Sequence, residues 1–352
     1  MAGQSSQSDQ PNVTTVPLAG QTDVMMNYAM FQASMRRRLP ALVREYRPDI
    51  LITNHAQMPD LLVGRRKGDP PVLVATHTTI RGQSMAVWRA LRNGSPLDTS
   101  EKMTLLGLFG LLPAEMYYWK RVRNAIFVSD FVRKEVEGAY GPRLRVSSTV
   151  FNGLDIEGIR SMADKAGRPD LPTERSVLFA SRMLAWKGLA DLFRAMRHLG
   201  PKAPTLYLTG SGNVDMWENY IESLGISGGR VRFLGSIPRE DLVGLMKNVS
   251  CFVLPSYSES CPFSLMEAMA LGTPIVATKV EGSMRMVDDG VSALLVPPGD
   301  HVALGNAILR LVDDPELGRN LARTALARAR EDYTAERMCR ETLAVYERVV
   351  AG

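Results

Sequence analysis

Short apolar runs bounded by turn residues alternate with amphipathic stretches along almost the whole chain. In the first part, DILITN (49–54), PVLVATH (71–77), AIFVSD (125–130) and RVSSTVFNG (145–153) read as strands, and LPALVREY and FVRKEVEGAY as helices. After a hinge rich in Gly, Pro and Asp (GRPDLPTE, 167–174) the alternation restarts: SVLFAS, TLYLTGSG, VRFLG, CFVLPS, PIVAT and SALLVP read as strands, separated by five helical stretches. From residue 302 onward the pattern is helical, in at least two pieces divided near Tyr333. Such alternation predicts parallel sheets covered by helices on both faces. With 352 residues, too many for one ordinary core, it predicts two α/β halves facing a cleft.

Ligands of open α/β sheets bind beyond the carboxyl ends of the strands, which directs attention to two loops. In SYSESCPFSLMEAMALGTPIVAT (256–278) a polar loop leaves a buried strand, Pro262 suits the first helical position, and Gly272 with Pro274 ends the helix. Glu259 and Glu267 stand eight positions apart, one in the loop and one in the helix. A carboxylate accepts more than one hydrogen bond, so Glu267 can grip a vicinal diol such as a ribose; the helix dipole alone also favours a glutamate there. The first amides of that helix, from Ser260 to Ser264, favour phosphate oxygens. In SVLFASRMLAWKGLADLFRAM (176–196) the loop carries Arg182 and Lys187, a forked guanidinium and a point charge that together suit a diphosphate. Either cation alone would be ordinary surface.

Composition narrows the class. At 45% apolar and 22% charged the chain is of soluble globular type. Three cysteines make no disulfide framework and point to a reducing, cytoplasmic compartment. The four histidines lack zinc-ligand spacing and no Asp-x-Asp occurs, so no metal site is expected. The polar start, MAGQSSQSDQPNVTT, has no signal-peptide pattern and reads as disordered. Residues 1–150 hold 19 Lys and Arg against 12 Asp and Glu, whereas the remainder holds 23 against 25. The basic excess therefore lies in the first part, where it is either a solvated surface or a face for an anionic partner. MTLLGLFGLLPAEMYYWKRVR (103–123) is the longest apolar run, interrupted by Pro113 and Glu115 and ending in aromatics and cations. It reads as a core helix or as a segment lying at the inner membrane surface.

RMLAWKG, YLTGSGN, VRFLGSIPREDLVGLMKN, SYSESCPFSLMEAMALGTPIVAT and DDGVSALLVPPGD resemble the donor-binding domain of the retaining glycosyltransferases of family 4 (glycosyl transferases group 1). Their fold is GT-B, two Rossmann-like domains facing a cleft. The resemblance runs from residue 145 to the C-terminus, and the E-x7-E pair of Glu259 and Glu267 is its most specific part. It implies that Arg182 and Lys187 hold a nucleotide diphosphate, Glu267 the ribose, and Glu259 the donor sugar. It further implies that Leu234, Gly235 and Ser236 face the base, and that Cys261, Pro262, Phe263, Ser264 and Leu265 line the phosphate turn. FNGLDIEGI (151–159) is similar to the family's hinge, and YTAERMCRETLAVYERVV to its tail helix, which crosses back to the first domain. The chain departs from the pattern at Ser181, where glycine is common, and at Arg285, where many members carry glutamate; only Gly282 of a glycine pair remains.

VATHTTIRGQ (74–83) resembles the first-domain loop that carries the family's active-site histidine, here His77, although a histidine after a strand is also often structural. IFVSDFVRKEV (126–136) is similar to the next strand and helix. The start is not: only 41 residues precede LVREYRPDILITN, and NVTTVPLAGQTD offers Gly20 in place of a glycine-rich loop. The first domain is thus shorter than usual. It is either compact, completed by another chain or a membrane, or part of a donor-binding protein without turnover.

The expected organisation is an acceptor-side domain over residues 1–155 with a disordered start, a donor domain over 156–332, and a crossing helix over 333–352. The expected function is retaining transfer of a sugar, without a metal or other cofactor, from a UDP- or GDP-linked donor to a glycan or lipid-linked acceptor. The alternatives are a non-catalytic nucleotide-sugar-binding or partner subunit and another GT-B enzyme such as a phosphorylase or epimerase. No nucleic acid is expected.

Overall fold

A computed structural model describes residues 6–7, 14–15, 37–55, 68–166, 171, 174–226 and 229–352. Strands β1 (Ser6–Gln7) and β2 (Thr14–Thr15) pair antiparallel; the rest of the segment proposed to replace the glycine-rich loop, and most of the 167–174 hinge, lie outside the described residues.

The front half contains helix α1 (37–46), β3 (Leu51–His55), β4 (Val72–Thr76), α2 (Ile80–Arg92), α3 (Thr99–Trp119), β5 (Asn124–Phe127), α4 (Asp130–Tyr140) and β6 (Val146–Thr149). Its four strands pair in parallel in the order β3-β4-β5-β6, with Leu51 opposite Val72 and Val74 opposite Ala125. The rear half contains α5 (Ile156–Ala166), β7 (Ser176–Ala180), α6 (Leu189–Leu199), β8 (Thr205–Thr209), α7 (Val214–Ser223), β9 (Val231–Gly235), α8 (Arg239–Asn248), β10 (Cys251–Leu254), α9 (Phe263–Leu271), β11 (Ile275–Thr278), α10 (Glu281–Met286) and β12 (Leu294–Val296). Helices α11 (His301–Asp313), α12 (Pro315–Asp332) and α13 (Ala335–Ala351) follow. The rear sheet is six-stranded and parallel, in the order β12-β11-β10-β7-β8-β9.

Alternation along each strand divides the rear core in two. Val177 and Phe179 face a layer that includes α6 and α11, while Leu178, Phe252 and Leu254 face α5, α8, α9 and α12. Both faces are covered, so β7, β10 and β11 are buried throughout and read as continuous apolar runs. Helix α2 belongs to the front half in sequence, yet its Ala86, Val87 and Ala90 lie in the rear core with Leu189 and Phe193.

The chain crosses between halves twice, side by side. Leu154 donates its N–H to the Tyr333 carbonyl at 2.9 Å and its carbonyl accepts from Ala335 at 3.0 Å. A Cβ on Gly153 would lie 2.2 Å from the Thr334 carbonyl oxygen, so glycine allows this approach. Helix α13 then packs Val345 and Val349 on Leu73, Ile126 and Val150 of the front half.

Helix α3 is inverted relative to the usual pattern. Met103, Leu106, Gly110, Pro113, Met116 and Tyr117 form an exposed stripe, while Glu101 and Glu115 are buried. Glu115 accepts from the Ile80 N–H at 2.9 Å and from the Tyr140 hydroxyl. It is an internal polar anchor rather than a break in an apolar helix.

Candidate active site

Strands β7 and β10 are neighbours at the point where the strand order reverses, and the loops leaving their carboxyl ends meet. After β7 the chain forms a 3-10 turn, Ala185–Lys187, and Gly188 starts α6 with φ of 78°. A Cβ on Gly188 would lie 2.0 Å from the Pro255 carbonyl oxygen, so the turn can press on the end of β10 only with glycine there. The Tyr257 N–H donates to the Trp186 carbonyl at 2.9 Å and ties the loops together.

This contact sets Lys187 Nζ 2.7 Å from Glu259 Oε1. The same oxygen accepts from the Ser256 hydroxyl at 2.7 Å, and the Glu259 carbonyl accepts from the Gly282 N–H at 3.1 Å. A Cβ on Gly282 would come within 2.4 Å of that carbonyl, which explains why this one glycine of the pair is present. Lys187 has three N–H donors and Glu259 takes one, so capacity for an anion remains. Arg182 is exposed in the same loop, whose backbone is held by the Ser181 N–H on the Thr209 carbonyl and the Met183 N–H on the Ser211 carbonyl, at 3.1 and 2.8 Å. The close crossing falls at Gly210, where a Cβ would be 2.0 Å from the Ser181 carbonyl oxygen, so serine is accommodated at 181.

Helices α6, α8, α9 and α10 all start at this carboxyl edge without a side-chain cap. By contrast Thr79, Asp98, Ser129, Asn213, Asp300, Asp314 and Thr334 cap other helices. The uncapped first-turn amides and the dipoles behind them favour negative charge at the switch point.

Glu267 is buried in the second turn of α9, and Arg239 from α8 reaches its Oε1 at 2.8 Å. Burial raises the carboxyl pKa, and Arg239 opposes that shift. The structure places Leu234 half-buried, Gly235 at φ of 65° and Ser236 exposed at the end of β9. The Gly235 carbonyl accepts from the Gly210 N–H at 2.9 Å and the Thr209 hydroxyl at 2.8 Å. In the turn before α9, Cys261 and Leu265 have their side chains in the core, Phe263 is exposed and Ser264 half-buried. Burial pushes the Cys261 thiol up to about 11, and its carbonyl accepts from the Asn152 amide at 3.0 Å. Pro262 is the N-cap rather than the first helical residue. Among the described residues no group of three or more His, Cys, Asp or Glu could hold a metal ion.

On the front side His77 is exposed at the end of β4, and the protein packed around the ring lowers its pKa. Glu135 of α4 stands nearby: burial raises its pKa, the Thr79 hydroxyl binds it, and Glu115, Arg81 and Glu281 act on it by charge. Glu281 opens α10 in the rear half. Sequence reasoning missed Glu135, and also Asn93 and Glu101, which tie the halves together. The spacing of Asp98 and Glu101 is readable as a helix cap, but what else Glu101 touches is not.

Two family descriptions cover nearly the whole chain. "Glycosyltransferase Family 4" matches residues 4–157, and "Glycosyl transferases group 1" matches residues 164–328. The chain is a group 1 glycosyltransferase of the family 4 type. It is 24% identical over 329 residues to a glycogen synthase of Mycobacterium tuberculosis, covering 91% of this chain and 74% of that protein. It is 26% identical over 326 residues to a phosphatidyl-myo-inositol mannosyltransferase of Mycolicibacterium smegmatis, covering 91% and 76%. Sucrose-phosphate synthase from Thermosynechococcus elongatus superposes with a TM-score of 0.76 at 20% identity, over 98% of this chain and 85% of that one. Anabaena HepE in complex with UDP gives 0.57 at 23% identity, over 77% and 78%. The fold of this glycosyltransferase is GT-B, and matches across both halves do not favour a non-catalytic subunit.

Proposed function

We propose that this glycosyltransferase moves a hexosyl group from a UDP- or GDP-linked donor to a glycan or lipid-linked acceptor, with retention and without a bound metal. The observation that carries the reading is the Lys187–Glu259 pair, set at the switch point among uncapped helix N-termini. When the bond from the sugar to the diphosphate breaks, charge grows on the leaving oxygen. Arg182, Lys187 and the α6 and α9 amides would stabilise that charge without a cation. Glu267 would accept from the ribose hydroxyls and Glu259 from the donor sugar; Leu234, Gly235 and Ser236 would face the base. Cys261 to Leu265 would act through backbone, since two of those side chains are in the core. The uridine nucleotide in the HepE complex supports a nucleoside diphosphate in this pocket.

Titration calorimetry of UDP and GDP in the presence of EDTA tests this. One of the two should bind the wild type, and Glu267→Ala should weaken it by about 1.5–3 kcal/mol, the usual worth of hydrogen bonds to a charged group. Equal affinity in a folded variant removes Glu267 from the site, and an absolute need for a divalent ion removes the metal-free reading. A product with inverted anomeric configuration by NMR would end the claim of retention.

His77 is assigned to the acceptor side of the cleft. Because it is exposed, His77→Ala leaves no cavity and should change stability by less than about 0.5 kcal/mol, while transfer falls. Unaltered transfer with a lowered melting temperature would return His77 to a structural role. The acceptor is assigned to the cytoplasmic face of a membrane, which the exposed stripe of α3 would touch.

A further inference from the structure

Glu101 belongs to the front half, is only 3% exposed, and divides its two oxygens between the halves. Oε2 accepts from the Asp98 N–H at 3.2 Å, and Asp98 in return accepts from the Glu101 N–H at 2.8 Å. Oε1 accepts from the Trp186 N–H at 3.4 Å. Trp186 is the middle residue of the turn that ends in Lys187, and that turn has no side-chain cap within its own half. Eight residues before Glu101, Asn93 at the end of α2 does the same for the neighbouring loop. Its amide donates to Asp191 Oδ1 and the Tyr257 hydroxyl, each at 2.8 Å, and to the Gly299 carbonyl at 3.2 Å. The Tyr257 hydroxyl donates to Asp191 Oδ2 at 2.6 Å, and Arg194 donates to the carbonyls of Asn93 and Gly94 at 2.7 and 2.8 Å. The Tyr257–Trp186 backbone bond joins the two ties into one ring.

We propose that the α2–α3 turn is a clasp through which the front domain positions Lys187, with Glu101 as the positioning residue and Asn93 as the second tie. The clasp rests on the reading that Lys187 contacts the donor diphosphate. A backbone N–H held from the opposite domain fixes the turn only while the halves are together. Donor phosphate contacts and domain closure are therefore linked, and the Lys187 turn reaches its working position only when the acceptor side is in place.

Proton linkage gives the clasp a signature. Burial raises Glu101 to about 7, opposed by the Asp98, Trp186 and Ala185 amides. The charged group acting on it is Asp98, the N-cap of its own helix; from the rear half it meets the backbone amides of Ala185 and Trp186. A carboxyl whose pKa is higher in the closed clasp than when solvated takes up a proton on closing. Closure is thus strongest below the solvated pKa and weakens as pH rises towards 7, beyond which it levels off.

Steady-state kinetics of the wild type and four variants between pH 5 and 8 test the proposal, with a nucleotide-sugar donor. Glu101→Ala should raise donor KM and lower kcat, each by about tenfold, equivalent to the loss of 1.4 kcal/mol. Glu101→Gln keeps an acceptor for the Trp186 N–H and should recover both to within about threefold, with a flatter dependence of donor KM on pH. Asn93→Ala should move the same parameters in the same direction as Glu101→Ala. Normal kcat and KM in Glu101→Ala, with only a lowered melting temperature, overturn the clasp. So does an identical pH profile in wild type and Glu101→Gln, which holds even if the alanine variant does not fold. Lys187→Ala separates the two readings: if it alone is crippled, the clasp is wrong, and if it too is normal, the donor-site reading is wrong.

Discussion

Lys187→Ala lowers kcat on the order of 100-fold or more while donor KM moves far less, the loss expected when one preorganised donor to a developing anion is removed. The asymmetry follows from where the charge is. In the bound donor the diphosphate charge is already shared with the sugar bond, and it grows on the leaving oxygen as that bond breaks, so the ammonium gains most in the transition state. The structure adds a complication, because Lys187 is also the ionic partner of Glu259, a side chain only 7% exposed. Removing one member of such a pair leaves a buried charge and can cost about 3–5 kcal/mol of stability. The Ser256 hydroxyl on the same oxygen offsets part of that. Glu259→Gln added to Lys187→Ala removes the stranded charge, so the double variant should regain melting temperature and stay slow. If stability and kcat return together, the lysine acts only as a structural counter-ion. If donor affinity falls by the full factor with kcat untouched, it binds the ground state and the transition state alike.

The rear half was legible because each of its strands is a short apolar run between turn residues. CFVLPS, FSLMEAMAL and the stop at Gly272 lie where the pattern puts them, with Gly272 in the left-handed conformation at φ of 70°. The residues at its loops were legible as types, a forked cation, a lysine and two carboxylates. Their pairing was not, because it depends on contacts between backbones distant in sequence. That Gly188 lets Pro255 approach, or Gly282 the Glu259 carbonyl, is invisible in composition; any glycine in a loop looks the same.

The front half shows the other limit. Helix α2 was not among the elements read from the sequence, and its Ala86, Val87 and Ala90 are buried in the opposite domain. In α3 the pattern was legible and the orientation was not. Glutamates on an apolar helix suggest a solvent side, yet hydrogen bonds to Ile80 and Tyr140 hold Glu115 inside. Tyr118 and Trp119, in the run that reads either as a core helix or as a membrane-surface segment, are fully buried, with Trp119 stacked on Phe127 and Tyr140. Of the three aromatics only Tyr117 faces outward.

That inversion sharpens the second large effect, expected at anionic vesicles. With Glu101 and Glu115 turned inward, the exposed face of α3 presents Met103, Leu106, Met116 and Tyr117, of which Leu106 is 70% exposed. Helix α2, which packs against α3, exposes Met85, Trp88 and Leu91. Arg89, Arg92, Lys102, Lys120, Arg121 and Arg123, on or just after these two helices, are exposed, and Arg121 sits 3.4 Å over the Tyr117 ring. Asp98 is the only other acid between residues 77 and 123. Among the described residues no helix is long and apolar enough to cross a membrane; the contact we propose is with a bilayer surface. Each cation near an anionic surface contributes about 1 kcal/mol. Changing Lys120, Arg121 and Arg123 together to Gln should therefore weaken vesicle binding by about 3 kcal/mol, on the order of 100-fold. Arg123 also donates to the Arg143 carbonyl at 3.1 Å, so circular dichroism must show that the variant keeps its fold. Leu106→Asp should act on the same binding from the apolar side, without touching a cation. Raising salt should release the wild type as the Debye length shortens from about 10 Å at 0.1 M to about 3 Å at 1 M. A protein that stays in the supernatant with anionic vesicles at low salt, or that binds neutral vesicles equally well, does not use this face to reach a lipid-linked acceptor.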